Sequence, residues 1–167
     1  MFNTLEKLED EFKNNPFISF DSDGNGISRI FDDKWDFVSR RESTRYVLFH
    51  KLPPEHKKNI QSFTAKLSFL EMDQAIDNYV SVAKLLRTKK LLWAITKIWG
   101  KSDFSLLSNN IEWFKFKENI KRRMPLGSLK QISTTLRRLS NAGLLNRYID
   151  CKAFNELSNE KKSKQHL

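Results

Sequence analysis

A chain of 167 residues holds one compact domain, or one with an ordered appendage, and 39% hydrophobic residues with 13 Phe and 4 Trp provide for a buried core. Five Gly and four Pro are too few for the many tight turns of a sandwich or barrel, so helices are favoured. The lone Cys151 excludes an internal disulfide, no Cys/His cluster offers zinc ligands, and neither a signal-peptide pattern nor a membrane-length apolar run is present. A cytoplasmic protein without cofactor or metal is expected, with no membrane partner.

The formal charge of +10 is unevenly spread. Residues 1–33 carry 3 basic against 8 acidic residues, whereas residues 84–138 carry 14 Lys or Arg against Asp103, Glu112 and Glu118. Such a concentration of like charge disfavours the compact state and points to a polyanionic partner; the plainer alternative is a solvated basic surface.

Along the chain, Thr4 caps a short amphipathic helix with Leu5, Leu8 and Phe12 on one stripe, ending by Pro16. Phe17–Phe20 and Ile27–Phe31 flank a turn over Asp21–Gly26, and Arg45–Phe49 adds a third β-prone run. Pro53 then opens a helical region: one helix at about 54–70, carrying Ile60, Phe63, Leu67 and Leu70, and a second from Asp73 carrying Ala75, Tyr79, Val82 and Leu86. In that second helix Asp77, Ser81, Lys84 and Thr88 form the polar side. A third runs from Leu91 to Trp99, closed by Gly100. Ser108 or Asn109 caps a fourth, with Trp113, Phe116 and Ile120 inward and Lys115, Lys117, Lys121 and Arg122 outward. Ser128 opens a fifth, with Leu129, Ile132, Leu136 and Leu139 inside, ending at Asn141 to Gly143. The expected fold is mainly α: an arm over residues 1–52 containing a small β-hairpin or sheet, a helical bundle over 53–150, and a charged linker or tail over 151–167.

The fifth helix is the most informative segment. Once its apolar stripe is removed, Lys130, Thr134, Arg137 and Asn141 form a polar line beside Gln131, Thr135 and Arg138. These side chains suit phosphate oxygens and base edges, although ordinary wet helix faces share the composition. A second cationic group, Lys84, Arg87, Lys89 and Lys90, is expected at a helix end, where the helix dipole accounts for one or two of the four. Lys121, Arg122 and Arg123 precede Met124-Pro125 and suit a phosphate clamp at a helix end.

Asp21 to Asp32 has the oxygen ligands and Gly26 of a calcium loop. However, Ser28 replaces the apolar anchor, Asp32 replaces the bidentate Glu, and Pro16 interrupts the entering helix, so no calcium is expected. His50, His56 and His166 form no ligand or nucleophile pattern, no paired carboxylates or glycine-rich phosphate loop occur, and no catalytic residue is assigned. His50 and His56 are expected at the surface. Trp93, Trp99, Trp113, Phe114 and Phe116 could stack on single-stranded bases, but their helical spacing places them first in the core.

With these residues in hand, the chain resembles the arm plus core-binding, SAM-like region of a phage-type tyrosine recombinase (integrase). The resemblance lies in Phe31 to Phe37 leading into Tyr46 to Phe49, in Ile76 to Val80, in Leu86-Arg87, and in Ser128 to Leu139 followed by Gly143-Leu144-Leu145. It spans most of residues 31–150. It implies a bundle forming half of a clamp around duplex DNA, assembly with other proteins on a recombination site, and a separate C-terminal catalytic domain in a parent chain. No His-x-x-Arg pattern occurs here, and neither Tyr79 nor Tyr148 has a catalytic setting, so strand cleavage is not expected of this chain. Two alternatives stand beside it. A stand-alone winged-helix-like regulator would need a wing over 150–160, and a protein-interaction module would use the acidic arm for docking.

Overall fold

The protein, described by a computed structural model over residues 4–37, 44–74, 81–123 and 126–149, is mainly helical with a small antiparallel β region preceding the long helices. It forms two compact units, Met1–Lys90 and Leu91–Leu167.

In the first unit, helix α1 (Thr4–Phe12) is followed by strands β1 (Phe17–Phe20) and β2 (Gly26–Arg29), paired antiparallel with Phe17 opposite Arg29. The hairpin turn closes because the Asp21 carboxylate accepts the backbone N–H groups of Asp23 and Asn25 at 2.9 and 2.8 Å, and Gly24 takes φ 86°. Gly26 is required for a different reason: a Cβ there would lie 2.3 Å from the Phe17 ring. That ring also carries the Arg29 guanidinium at 4.0 Å.

A second antiparallel pair joins β3 (Lys34–Asp36) to β4 (Tyr46–Leu48), with Trp35 opposite Val47. The three-residue β3 was not expected. Its one apolar residue, Trp35, is fully buried 4.5 Å from Phe49, with its indole N–H donating to Ile30 O at 2.8 Å. Helix α2 (Pro54–Gln74) takes Pro54 into its first turn and packs with α1, Phe12 meeting Phe69 edge-on at 6.1 Å. The buried Gln61 donates to Asp32 O at 2.7 Å, tying α2 to the loop before β3. The arm and α2 therefore share one compact unit.

Helix α2 runs past its expected end near 70 and through Asp73, the expected start of the second helix, to Gln74, and α3 (Val82–Trp99) is continuous where that second helix and a third from Leu91 were expected; the expected stripe residues Ala75 and Tyr79 lie outside the described residues. Val82, Leu85, Leu92, Ile95 and Trp99 are buried, and Thr88 and Thr96 complete the same face, each returning its hydroxyl proton to the carbonyl four residues earlier (Lys84 O and Leu92 O, both 2.9 Å). Thr88 thus belongs to the buried side and not to the polar one.

In the second unit a 3-10 helix, Phe104–Ser108, buries Phe104 and Leu107. Helix α4 (Asn110–Arg123) is capped by Asn109, whose side chain accepts from the N–H groups of Ile111 and Glu112. Trp99, Phe104, Trp113 and Phe116 form an aromatic cluster, with Trp99 and Phe116 6.0 Å apart and near perpendicular. Helix α5 (Leu126–Asn141) starts two residues before Ser128 and ends as expected: Gly143 at φ 80° lets Leu144 N–H reach Leu139 O at 2.9 Å.

Candidate nucleic-acid interface

Helix α5 divides cleanly around its circumference. Leu129, Ile132, Leu136 and Leu139 are at most 1% exposed, whereas Lys130, Gln131, Thr134, Arg137 and Asn141 face solvent. One expected member of the polar line changes sides. Thr135 is buried, and its hydroxyl donates to Gln131 O at 2.9 Å. Thr134 stays exposed, but its one proton is committed to Lys130 O, leaving acceptor lone pairs and a methyl group. A phosphate oxygen needs a donor, so Thr134 as placed suits a base amino group or a thymine methyl. Arg138 is half-buried and engaged with a neighbour, so Arg137 is the freer guanidinium of the pair.

The end of α4 is less uniform than the sequence implies. Arg122 is exposed, Lys121 is half-buried and engaged, and Arg123 directs a guanidinium N–H to Ile98 O at 3.4 Å, in the last turn of α3. A cation there answers the partial negative charge of a helix C-terminus, so Arg123 has a structural task besides any clamp. Arg147, not singled out by sequence, is a structural cation too. Its guanidinium donates to Leu107 O at 3.0 Å, Ser108 O at 3.3 Å and the Asn110 side chain, and lies 5.1 Å from the Trp113 centroid. No local pattern announces this, because the partners are carbonyls some 40 residues away. Phe114 departs from its expected core placement: it is 62% exposed, beside Ile111 on the outer face of α4.

The remaining expected cations lie in the first unit. Because α3 runs from Val82 to Trp99, Lys84 lies in its first turn and Arg87, Lys89 and Lys90 in its first half, none of them near its C-terminus. The helix dipole therefore stabilises none of the four, contrary to expectation. Lys84 pairs with Glu71 at 3.4 Å, Arg87 and Lys90 are exposed, and Lys89 is half-buried 5.6 Å from the Phe49 centroid. Burial, with the neighbouring ammonium groups of Lys90 and Lys51, holds the Lys89 pKa below the ordinary lysine range.

Among the described residues no cluster of three His, Cys, Asp or Glu could hold a metal ion, and no helix is long and apolar enough to cross a membrane. In the Asp21 to Asp32 segment, the Asp21 carboxylate serves the hairpin turn and Asp32 accepts from Arg29 N–H at 2.7 Å. Residues 150–160, where a winged helix would place its wing, and the Ile76 to Val80 segment of the recombinase resemblance lie outside the described residues. No protein-family model, curated protein or solved structure matches the chain.

Proposed function

We propose that the protein is a cytoplasmic DNA-binding module that grips duplex DNA by its phosphates through the solvent face of α5 and the adjoining end of α4, and that it performs no catalysis itself. The observation that carries this reading is the outward line of Lys130, Gln131, Thr134 and Arg137, set against a fully buried stripe on the same helix. Burial of the stripe fixes the helix's rotation, and the exposed cations meet no structural need of the fold. Phosphate contact would come from Lys130, Arg137 and Arg122, with Gln131 and Thr134 placed for base edges. The lone cysteine fits a reducing compartment. Within this proposal, the tyrosine-recombinase resemblance supplies a context in which the module is half of a clamp and cleavage belongs to another domain.

The test is a salt titration of duplex affinity. Each neutralised phosphate contributes about −0.9 to the slope of log K against log salt. A Lys130→Ala, Arg137→Ala double variant is expected to lose roughly two such contacts and flatten the slope by about 1.8. An unchanged slope and affinity would return α5 to an ordinary solvated face.

A further inference from the structure

A cleft of about 680 Å³ opens in the first unit between β4 with its flanking residues and the first half of α3. Its chemistry differs from that of α5. Tyr46 and Leu48, alternate residues of β4, are 50% and 38% exposed, while Val47 and Phe49 between and beyond them are fully buried. The strand therefore has one finished face and one left open. Leu86 contributes a further apolar wall, and Arg45, Lys51 and Lys89 bring cations to the same space. No carboxylate lines the cleft among the described residues, so the ammonium groups of Lys51 and Lys89 converge without an acidic neighbour in the lining. Clustered like charge of this kind is unfavourable until an anion enters. The Tyr46 ring is held from one side by Lys34, whose ammonium lies 4.6 Å from its centroid and is itself paired with Asp36 at 3.7 Å. A pinned, half-exposed ring beside aliphatic walls offers a stacking platform, and the volume lies within the range of small-ligand sites, about 300–1,000 Å³.

We propose that this cleft binds one nucleotide of an unpaired strand, the base stacked on Tyr46 against Leu48 and Leu86 and the phosphate held by Lys51 and Lys89. An acidic peptide would use the cations but leave the ring and the leucines without a role. A free nucleotide presents the same chemistry as a nucleotide within a strand, so the two sources are separated by measurement. The residues of this site all belong to the first unit, whereas α4 and α5 belong to the second.

The experiment is fluorescence anisotropy of a labelled thymidine hexanucleotide titrated with the full chain, with thymidine monophosphate, inorganic phosphate and a glutamate hexapeptide as competitors. Tyr46→Ala is expected to weaken hexanucleotide binding about 5- to 150-fold, the range for losing one base–aromatic stack, with the salt slope unchanged; Tyr46→Phe retains affinity. A Lys51→Ala, Lys89→Met double variant is expected to flatten the slope by about 0.7, the value for one phosphate contact in a single strand, and each single variant by part of that. The Tyr46→Ala loss persists in an Arg137→Ala background, which keeps this test independent of the duplex proposal. Tighter competition by unlabelled hexanucleotide than by thymidine monophosphate assigns a strand; equal competition assigns a free nucleotide, and both support the cleft. Unchanged affinity in Tyr46→Ala, an unchanged slope in the double lysine variant, or competition by the glutamate peptide equal to that of the nucleotides overturns it.

Discussion

The first half of α3 and the solvent face of α5 carry the same kinds of side chain, yet the fold uses them differently. On α3, Lys84 is held by Glu71 and Lys89 is half-buried beside Phe49 at the edge of a cleft, leaving Arg87 and Lys90 exposed. On α5, Lys130, Gln131 and Arg137 stand outward while the opposite stripe is sealed. A cation count would rank α3, with Lys84, Arg87, Lys89 and Lys90, above α5, with Lys130, Arg137 and Arg138. What separates them is how much of each charge the protein already employs, and that difference can be broken or sharpened experimentally.

The largest effect is expected on the sealed side of α5. Leu136 is fully buried, so Leu136→Ala removes apolar contact and leaves a cavity, costing about 2–5 kcal/mol of stability. Chemical denaturation should report this as a lower midpoint. If Leu136→Ala unfolds at the wild-type midpoint, the two-sided account of α5 fails, because its outward face is defined by its inward one.

Next comes a contrast between arginines. Arg147 donates to Leu107 O and Ser108 O, so Arg147→Ala leaves carbonyls without partners and is expected to cost about 1–3 kcal/mol. Exposed Arg137 has no comparable structural duty, and Arg137→Ala should change stability by less than about 0.5 kcal/mol while flattening the duplex salt slope by about 0.9. Arg138, half-buried and engaged, should lie between them. Should Arg137 also reach a guanine edge, its loss would relax preference at that base pair by about 1–3 kcal/mol. As an internal control, neutralising Glu6, Glu9 and Glu11 in the arm should leave duplex affinity unchanged or slightly raised, since it removes negative charge that repels phosphate. Matched denaturation and salt titrations of these variants check all of this, and loss of stability in Arg137→Ala equal to that in Arg147→Ala would dissolve the contrast.

How far the sequence discloses this arrangement depends on whether each partner is local. The apolar stripe of α5 is uninterrupted at helical spacing, so both its faces are legible. Helix α3 is not: Thr88 occupies a slot in the buried face, and because its hydroxyl proton satisfies Lys84 O, a residue that reads as polar sits inside at small cost. A polar residue in that slot interrupts the apolar spacing, so the Lys84–Lys90 cations read as lying near a helix C-terminus although they fall in the first half of α3. Strand β3 escapes notice because three residues with a single apolar side chain form a strand only when β4 supplies the hydrogen bonds. The Tyr46 and Leu48 face is hidden for a related reason, since Arg45–Phe49 reads as a strand but not as one whose open side meets α3.

The smallest expected effect concerns a charge pair in the second unit. Lys101 donates to Glu112 at 2.8 Å, and this hydrogen bond, chiefly, holds the Glu112 carboxyl below the ordinary glutamate range. The sign follows from linkage: a group whose pKa is lower in the folded chain favours folding above its unfolded value, and that contribution disappears as pH falls through the folded pKa. Both side chains touch solvent, so the pair resembles surface ion pairs, whose contributions are slight and screened by salt. Thermal melts of wild type and Glu112→Gln between pH 7 and pH 3 should therefore differ most at neutral pH and low salt, wild type being the more stable. The difference should shrink as the pH falls from the ordinary glutamate value, about 4.3, to below it. A difference independent of both pH and salt would mean that Glu112 acts through packing near Asn109 and the start of α4, and the Lys101 pairing would then carry none of it.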